Sequence, residues 1–555
     1  MKKIIKAVAF ASACCLTVST FVACSSGSKR GGADYEYDYT WSDQKITYTF
    51  YGQSGLDKSS EDKVLKTVED KFNVTIKLES SQEWESTLAT RVNSNRNVPD
   101  VFFSIPDGSS FPMWVNKGYV VPFDGFLDKL EEEKKGTGEN GTSNLKALYA
   151  TEQLQNTDIS DIHYFAPQVT GVSNHILVVN DDWRVKWAME TKGDANFIPT
   201  KISDFTAMLQ AFHDGDYGNK GSDKTYGLGL NENFDFTEAF LSTFGVSPSY
   251  TKNPDGSYQL SALTEGYDDY IAWLRAGCAN GYIYPNFGAK TESATQDDFQ
   301  SGKIGAYITT CNYTFTNQVV TMKTQYNTNV SFLPFPSSDD GVHVGSPVGD
   351  PYYWGGWCVS VNAKEPYRLI AILDYLMGDE GQELFTWGVE GEYFTKDAEG
   401  NKSITDENLS KRYADGANLF ICPNPYNKTA PAGQYKIGSI ITPTKFKIEN
   451  GRIESNTPYE LLYQGGTYQK AYDEYVTGLE KAGKINFRQP TFLVEDYDMV
   501  KINNSCLDYV KTYTVNAAMA TSDLQVASYK SDMERSCSSK GINEFLDYLK
   551  EKEKN

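Results

Sequence analysis

Residues 45–104 read KITYTFYGQSGLDKSSEDKVLKTVEDKFNVTIKLESSQEWESTLATRVNSNRNVPDVFFS, and their alternation of types decides the fold class. KITYTFYG is a β-branched and aromatic run. EDKVLKTVEDKF then places Val64, Leu65, Val68 and Phe72 on one helical face. NVTIKLES is a second strand, EWESTLATRVNS a second helix, and PDVFFS a third, wholly apolar strand. Strand and helix alternating with short connections predict a parallel sheet covered by helices. Ligands of such sheets bind beyond the carboxyl ends of the strands. That rule points to Gln53 and Ser54 after the first strand and to Asp107 after the third.

Upstream, the chain opens MKKIIKAVAFASACCLTVSTFVACSSGSKRGG. Lys2, Lys3 and Lys6 precede an apolar run that is short for a membrane span, the pattern of an export signal over residues 1–23. Phe21-Val22-Ala23-Cys24 resembles a bacterial lipobox, in which the cysteine is acylated and becomes the mature N-terminus. The alternative is an ordinary secretory signal cut near Ala23. Residues 24–41, polar and rich in Gly and Ser at their start, are expected to be a flexible tether. Two acyl chains on Cys24 would give stable membrane anchoring where one would not.

The formal charge is −21, and removal of Lys2, Lys3 and Lys6 with the signal makes it −24. Phosphate backbones need clustered cations, so nucleic acid is excluded as a partner class. Besides Cys24, the mature chain carries Cys278, Cys311, Cys358, Cys422, Cys506 and Cys537, with no spacing of a metal site. They read as buried thiols, with a Cys506–Cys537 bridge left open. Some 530 residues suffice for two lobes with substantial cores.

Further along, NHILVVNDDW starts another strand, and PTKISDFTAMLQAFHDGD is a helix with Phe205, Met208, Leu209 and Phe212 at helical spacing. EGYDDYIAWLRAGCANGYIYP is a helix ending at Gly281. FQSGKIGAYITTCN and GGWCVSVNA supply strands, and PYRLIAILDYLMGDEGQELFTWGV is a helix pair broken at Gly378. Residues 349–357, GDPYYWGGW, set Tyr352, Tyr353, Trp354 and Trp357 among glycines and a proline, the punctuation of a loop. Such a loop either folds its rings inward or offers flat apolar faces to a ligand.

Several stretches together resemble the large lipoprotein branch of the family 1 extracellular solute-binding proteins, the receptors of carbohydrate ABC importers, a branch that includes binders of alginate oligosaccharides. They are NVPDVFFS, NKGYVVPFDGFLD, LVVNDDW, PTKISDFTAMLQAF, GYIYPNF, FQSGKIGAYI and LDYLMGDEGQELFTWGVEGEYF. The resemblance covers roughly residues 45–550. It implies an α/β, two-lobed periplasmic-binding-protein-like fold of type II, hinged around a ligand cleft. The first lobe is expected over 42–165 plus 295–350 and the second over 166–294 plus 351–550, with crossings near 166–172, 290–296 and 349–356.

Sugars present C–H faces that rings cover and hydroxyls that amides and carboxylates bind. The expected ligand contacts are therefore Gln53, Ser54, Asp107, Asn231, Glu232, Asn312, Tyr313, Tyr352, Tyr353, Trp354 and Trp357, with the bland alternative that Trp357 packs under a helix. HDGDYGNKGSDK (213–224) resembles the calcium loop of many relatives, with Asp214, Asp216, Asn219 and Asp223 as ligands for a structural calcium. Gly218 stands in the Asn slot and a one-residue insertion is needed, so a solvated acidic loop is the alternative. No other cofactor is required. The resemblance implies a monomeric, lipid-anchored receptor at the outer face of the cell membrane. It would pass an oligosaccharide to separate ABC permease subunits, with the lipid as its only membrane contact. The competing class is a surface-anchored glycoside hydrolase or lyase, since two carboxylates suffice for glycosidic cleavage. No Gly-x-Ser-x-Gly elbow, His-Glu-x-x-His or P-loop occurs in the chain.

Overall fold

The computed structural model describes residues 35–53, 63–105, 110–137, 141–152, 154–169, 175–221, 224–310, 321–323, 325–349, 353–381, 384, 388–398, 400, 402–403, 405, 408, 446–449, 452–455, 475–476 and 478–553. Strands β1 (Ile46–Gln53), β2 (Val74–Ser81) and β3 (Val101–Ser104) pair in parallel with β1 between the other two. The helix Lys63–Phe72 buries Val64, Leu65, Val68 and Phe72, and the helix Trp84–Ser94 buries Trp84, Leu88 and Val92. Each amphipathic stripe faces the sheet because only there can its apolar residues leave water.

The sheet is completed from distant sequence. β4 (Ala166–Val169) forms its edge, followed in the chain by β5 (His175–Asn180), β6 (Tyr226–Gly229), the hairpin β7 (Tyr250–Lys252) and β8 (Tyr258–Leu260), β9 (Ile304–Thr310), β10 (Val330–Leu333), β11 (Val348–Gly349) and β12 (Tyr353–Val359). The first sheet runs β2-β1-β3-β12-β4, with β12 antiparallel to both neighbours. The second runs β10-β5-β9-β6. In β5 successive residues serve opposite faces, Leu177 and Val179 packing into one cluster and Ile176 and Val178 into another, as a strand buried on both sides requires.

This topology corrects the expected division of the chain. β9 pairs with β5 and β6, so residues 304–310 belong to the second sheet, while β12 and the helix Pro366–Met377 pack into the first core. The segment near 290–296 is no crossing, because the helix Glu292–Gln300 leads directly into β9 beside β6. The chain passes between sheets after β4 and again between β11 and β12. The C-terminal helices Tyr497–Ala518, Asp523–Lys540 and Ile542–Lys552 join the second core, where the Tyr267 hydroxyl and Thr514 Oγ1 lie 2.6 Å apart.

Two local expectations also change. Residues 35–41 are not a free tether but an aromatic strap on the first lobe. Tyr37 meets the Phe126 ring edge-on at 4.9 Å, and Tyr39 and Trp41 approach Tyr367 at 5.8 and 5.9 Å. Every second residue of YEYDYTW is aromatic, so an extended backbone turns all four rings to one side. Residues 24–34, with Cys24, lie outside the described residues.

The aromatic segment at 353–357 is a strand rather than a loop. Trp357 stands opposite Phe103 and Ala166, and the ladder slips between Tyr353 and Gly355. A Cβ on Gly355 would strike the Phe103 ring, and one on Gly356 the Phe165 ring. Here the glycines mark close approach of neighbouring rings, not a turn. Cys506 and Cys537 sit in the second core as free thiols, each sulfur 3.8–3.9 Å from the other's carbonyl oxygen.

Candidate ligand-binding cleft

The parallel strands β1 and β3 end at Gln53 and Ser104, and the register of β12 sets its amino end, Tyr353, on the same rim beside Val169 of β4. In the second sheet the amino end of β5, His175, stands opposite Thr310 at the carboxyl end of β9. β6 is parallel to β9, so Leu230 and Asn231 emerge on that rim as well. Val169 stands on the first of these rims and His175, six positions further along the chain, on the second.

On the second-lobe rim two loops run side by side. The Glu232 N–H donates to the Lys290 carbonyl at 2.7 Å, and the Thr295 hydroxyl reaches the Leu230 carbonyl at 3.5 Å. Asn231 is 2% exposed, and its Oδ1 accepts the Asn233 N–H at 2.8 Å. Glu292 opens its helix half-buried, its carboxylate accepting from Thr309 Oγ1 and Gln296 Nε2, both at 3.3 Å. Burial pushes the Glu292 carboxyl above the usual range, against which the Thr309 hydroxyl and nearby His175 pull it down.

Of the anticipated contacts, Asn231 and Glu232 stand on this rim, Asn231 buried and Glu232 exposed. Gln53 is the last residue of β1, paired with Ser81, rather than a loop residue beyond it. Trp357 is corrected to the core: it is 2% exposed, 5.2 Å from Phe103 and 6.3 Å from Phe50 between ring centroids. Tyr353 is likewise buried, 5.5 Å from Phe165. Trp354 lies in β12 with its side chain outside what is described. Ser54, Asp107, Asn312, Tyr313 and Tyr352 lie outside the described residues, although β9, which leads to Asn312 and Tyr313, belongs to the second sheet and not the first.

His175, Glu292 and Thr309 were not anticipated. No motif carries them, because they meet only through the β5–β9 pairing and the packing of a helix end. The one local signal is Thr291, a good N-cap, whose hydroxyl accepts the Ala294 N–H at 3.2 Å and thereby sets Glu292 in the first turn.

The described part of the loop at 213–224 does not gather its carboxylates around a common point. Asp216 takes a left-handed backbone (φ 43°) and turns its carboxylate inward. There it accepts the Lys220 and Gly221 N–H groups at 3.0 and 2.8 Å and the Thr225 hydroxyl. Led by the Thr225 hydroxyl, these donors hold the carboxyl below its usual range. Asp214 is engaged by Gln210 at 2.8 Å, Asn219 is exposed, and Asp223 lies outside the described residues. Among the described residues no three His, Cys, Asp or Glu side chains gather as a metal site. A bound ion would raise stability in proportion to its saturation. Calcium at about 1 mM, compared with excess chelator, is therefore expected to move the melting temperature by less than about 1 °C, read by scanning calorimetry.

Among the described cysteines, burial pushes the Cys278 thiol up to about 12 and holds Cys358 well above its ordinary value. No described helix is long and apolar enough to cross a membrane.

Residues 63–393 match the family described as bacterial extracellular solute-binding protein. The polygalacturonan/rhamnogalacturonan-binding protein YtcQ of Bacillus subtilis is 22% identical over 231 residues, covering 40% of this chain and 44% of that protein, so the match spans less than half of the relative. Among solved structures, the alginate-binding protein AlgQ2 without calcium ion superposes with a TM-score of 0.62 at 15% identity, covering 92% of this chain and 98% of that one. A solute-binding protein from Bifidobacterium longum infantis, described as binding human milk oligosaccharides, gives 0.62 at 16% identity over the same shares. FusA of S. pneumoniae, in complex with fructo-nystose, gives 0.59 at 17% identity, covering 91% and 98%. These likenesses carry the two-lobed α/β fold. All are binding proteins and none is a glycoside hydrolase or lyase. With more than half of its length matched to the family, this chain belongs to the bacterial extracellular solute-binding proteins.

Proposed function

We propose that this protein is the receptor of a carbohydrate ABC importer, capturing an oligosaccharide between its lobes and presenting the closed form to separate permease subunits. The observation that carries the reading is the polar rim at the ends of β6 and β9, in a family of solute receptors. Relatives named for binding galacturonans, alginate, milk oligosaccharides and fructans support glycan as the ligand class. Acylation at Cys24 would hold the monomer at the outer membrane face.

Titration calorimetry of the mature chain against neutral and acidic oligosaccharides tests the reading. A saturating isotherm near one site per chain with one glycan class is the expected result. Heat continuing after mixing, in proportion to substrate supplied, would mean turnover and a glycosidase in its place. The anchor is read separately, by the intact mass of the mature N-terminus.

A further inference from the structure

The relatives named above divide between acidic and uncharged glycans. On the second-lobe rim the buried amide side chain is Asn231, whose orientation is fixed because Oδ1 accepts the Asn233 N–H. No described residue accepts from its Nδ2, so this 98%-buried residue keeps two donors without a partner among the described residues. Nδ2 is not among the fully buried unpartnered atoms, so it stays open to a hydroxyl arriving from the cleft. Across the paired loops stands Glu292, whose two bonds at 3.3 Å are long for a carboxylate and leave acceptor capacity.

The nearby cation is spoken for: the Lys290 ammonium is paired with Asp298 and lies 3.8 Å over the Tyr284 ring. Among the described residues neither Glu232 nor Glu292 joins an ion pair. A sugar hydroxyl both donates and accepts, so two neighbouring hydroxyls satisfy an amide donor and a carboxylate acceptor at once. A uronate carboxylate at the same place would meet Glu232 and Glu292, and the described lysines beside it, Lys290 and Lys303, are both drawn to Asp298.

We propose that Asn231 and Glu292 are the donor and acceptor of a second-lobe subsite that reads hydroxyls of an uncharged sugar, so that the ligand is a neutral glycan and not a uronate. The inference rests on the receptor reading above. Its pH signature follows from the groups facing Glu292: Thr309 and Tyr307 from β9, His175 from β5, Gln296 on its own helix, and Lys290 and Glu232 on the flanking loops. A bound hydroxyl donating to the carboxylate favours its charged form. Affinity should therefore be full above the carboxyl's raised pKa and fall as pH drops through it. The part of the pH dependence lost in Glu292→Gln isolates the carboxylate.

The test uses the mature chain and calorimetry with maltotriose, kestose, lacto-N-tetraose, trigalacturonate and an alginate trisaccharide. Asn231→Ala, Asn231→Ser and Glu292→Gln are compared with the unaltered protein at equal urea midpoints, about pH 7 and about pH 5. The expected result is binding of a neutral member, weakened at least about tenfold by Glu292→Gln and by either Asn231 change, with the fall toward low pH reduced in Glu292→Gln. Neutral binding untouched by these changes overturns the subsite and leaves the receptor reading standing. Preferential binding of trigalacturonate or the alginate trisaccharide overturns the ligand class in the same way. No isotherm with any of the five glycans overturns the receptor reading, and the subsite with it.

Discussion

Arg368→Ala is expected to cost the first lobe about 3–5 kcal/mol, the range for removing one partner of a buried ion pair. Its side chain is 0% exposed, and its guanidinium pairs with Glu365 at 2.7 Å. It also donates to the carbonyls of Ser42, of Gln44 at 2.9 Å and of Asn73 at 3.4 Å. Those carbonyls lie just ahead of β1 and β2, so one cation gathers the starts of two strands and the strap. Glu365 completes the knot by accepting the Ser42 N–H at 3.2 Å and its hydroxyl at 2.6 Å, while the Trp41 ring lies 5.3 Å from the guanidinium. Truncation would leave a carboxylate and three part-buried carbonyls without their common donor. Arg368→Lys should recover only part of the loss, since one ammonium cannot reach all four acceptors in the fork geometry. Urea unfolding followed by tryptophan fluorescence measures this. A loss below about 1 kcal/mol would mean that the guanidinium is solvated in solution and that the strap does not depend on it.

Arg368 also shows where sequence reading stops. The alternation in residues 45–104 was legible because each element buries its own stripe, and β1, β2, β3 and both intervening helices formed as expected. Helical spacing likewise placed Phe205, Met208, Leu209 and Phe212 on one buried face. Partners far apart in the chain left no such signal. β12 reads equally well as a strand of either lobe, since an apolar run says that it is buried but not against what. The expected division therefore exchanged β9 and β12 between the lobes. The same limit hid Glu292 and His175, 117 positions apart and brought together only by the second sheet. Asn231 was readable because its place depends on a local rule, the carboxyl end of β6. The tether was misjudged at 35–41 because composition reports solvation, whereas alternating aromatics on an extended backbone report a surface to pack on.

Trp357→Ala separates the two meanings an aromatic segment can have. As a sugar platform, the ring would be half-exposed, and its loss would weaken binding while sparing the fold. The observed ring is 2% exposed and wedged against Phe103 and Phe50. Gly355 and Gly356 on the same strand are kept free of side chains by neighbouring rings. The cavity left by alanine cannot collapse, because the strands on both sides are held in register by β3 and β4. The expected cost is therefore about 3–5 kcal/mol of stability, with the affinity of the molecules that remain folded changed less than about threefold. Trp357→Phe, which keeps a ring in the site, should lose clearly less. Urea midpoints and calorimetric affinities measured on the same samples decide the matter. An unchanged midpoint with affinity lost at least tenfold would return Trp357 to the cleft. The opposite pattern leaves ligand recognition to the polar rim, where specificity comes from hydroxyl geometry more than from a flat apolar face.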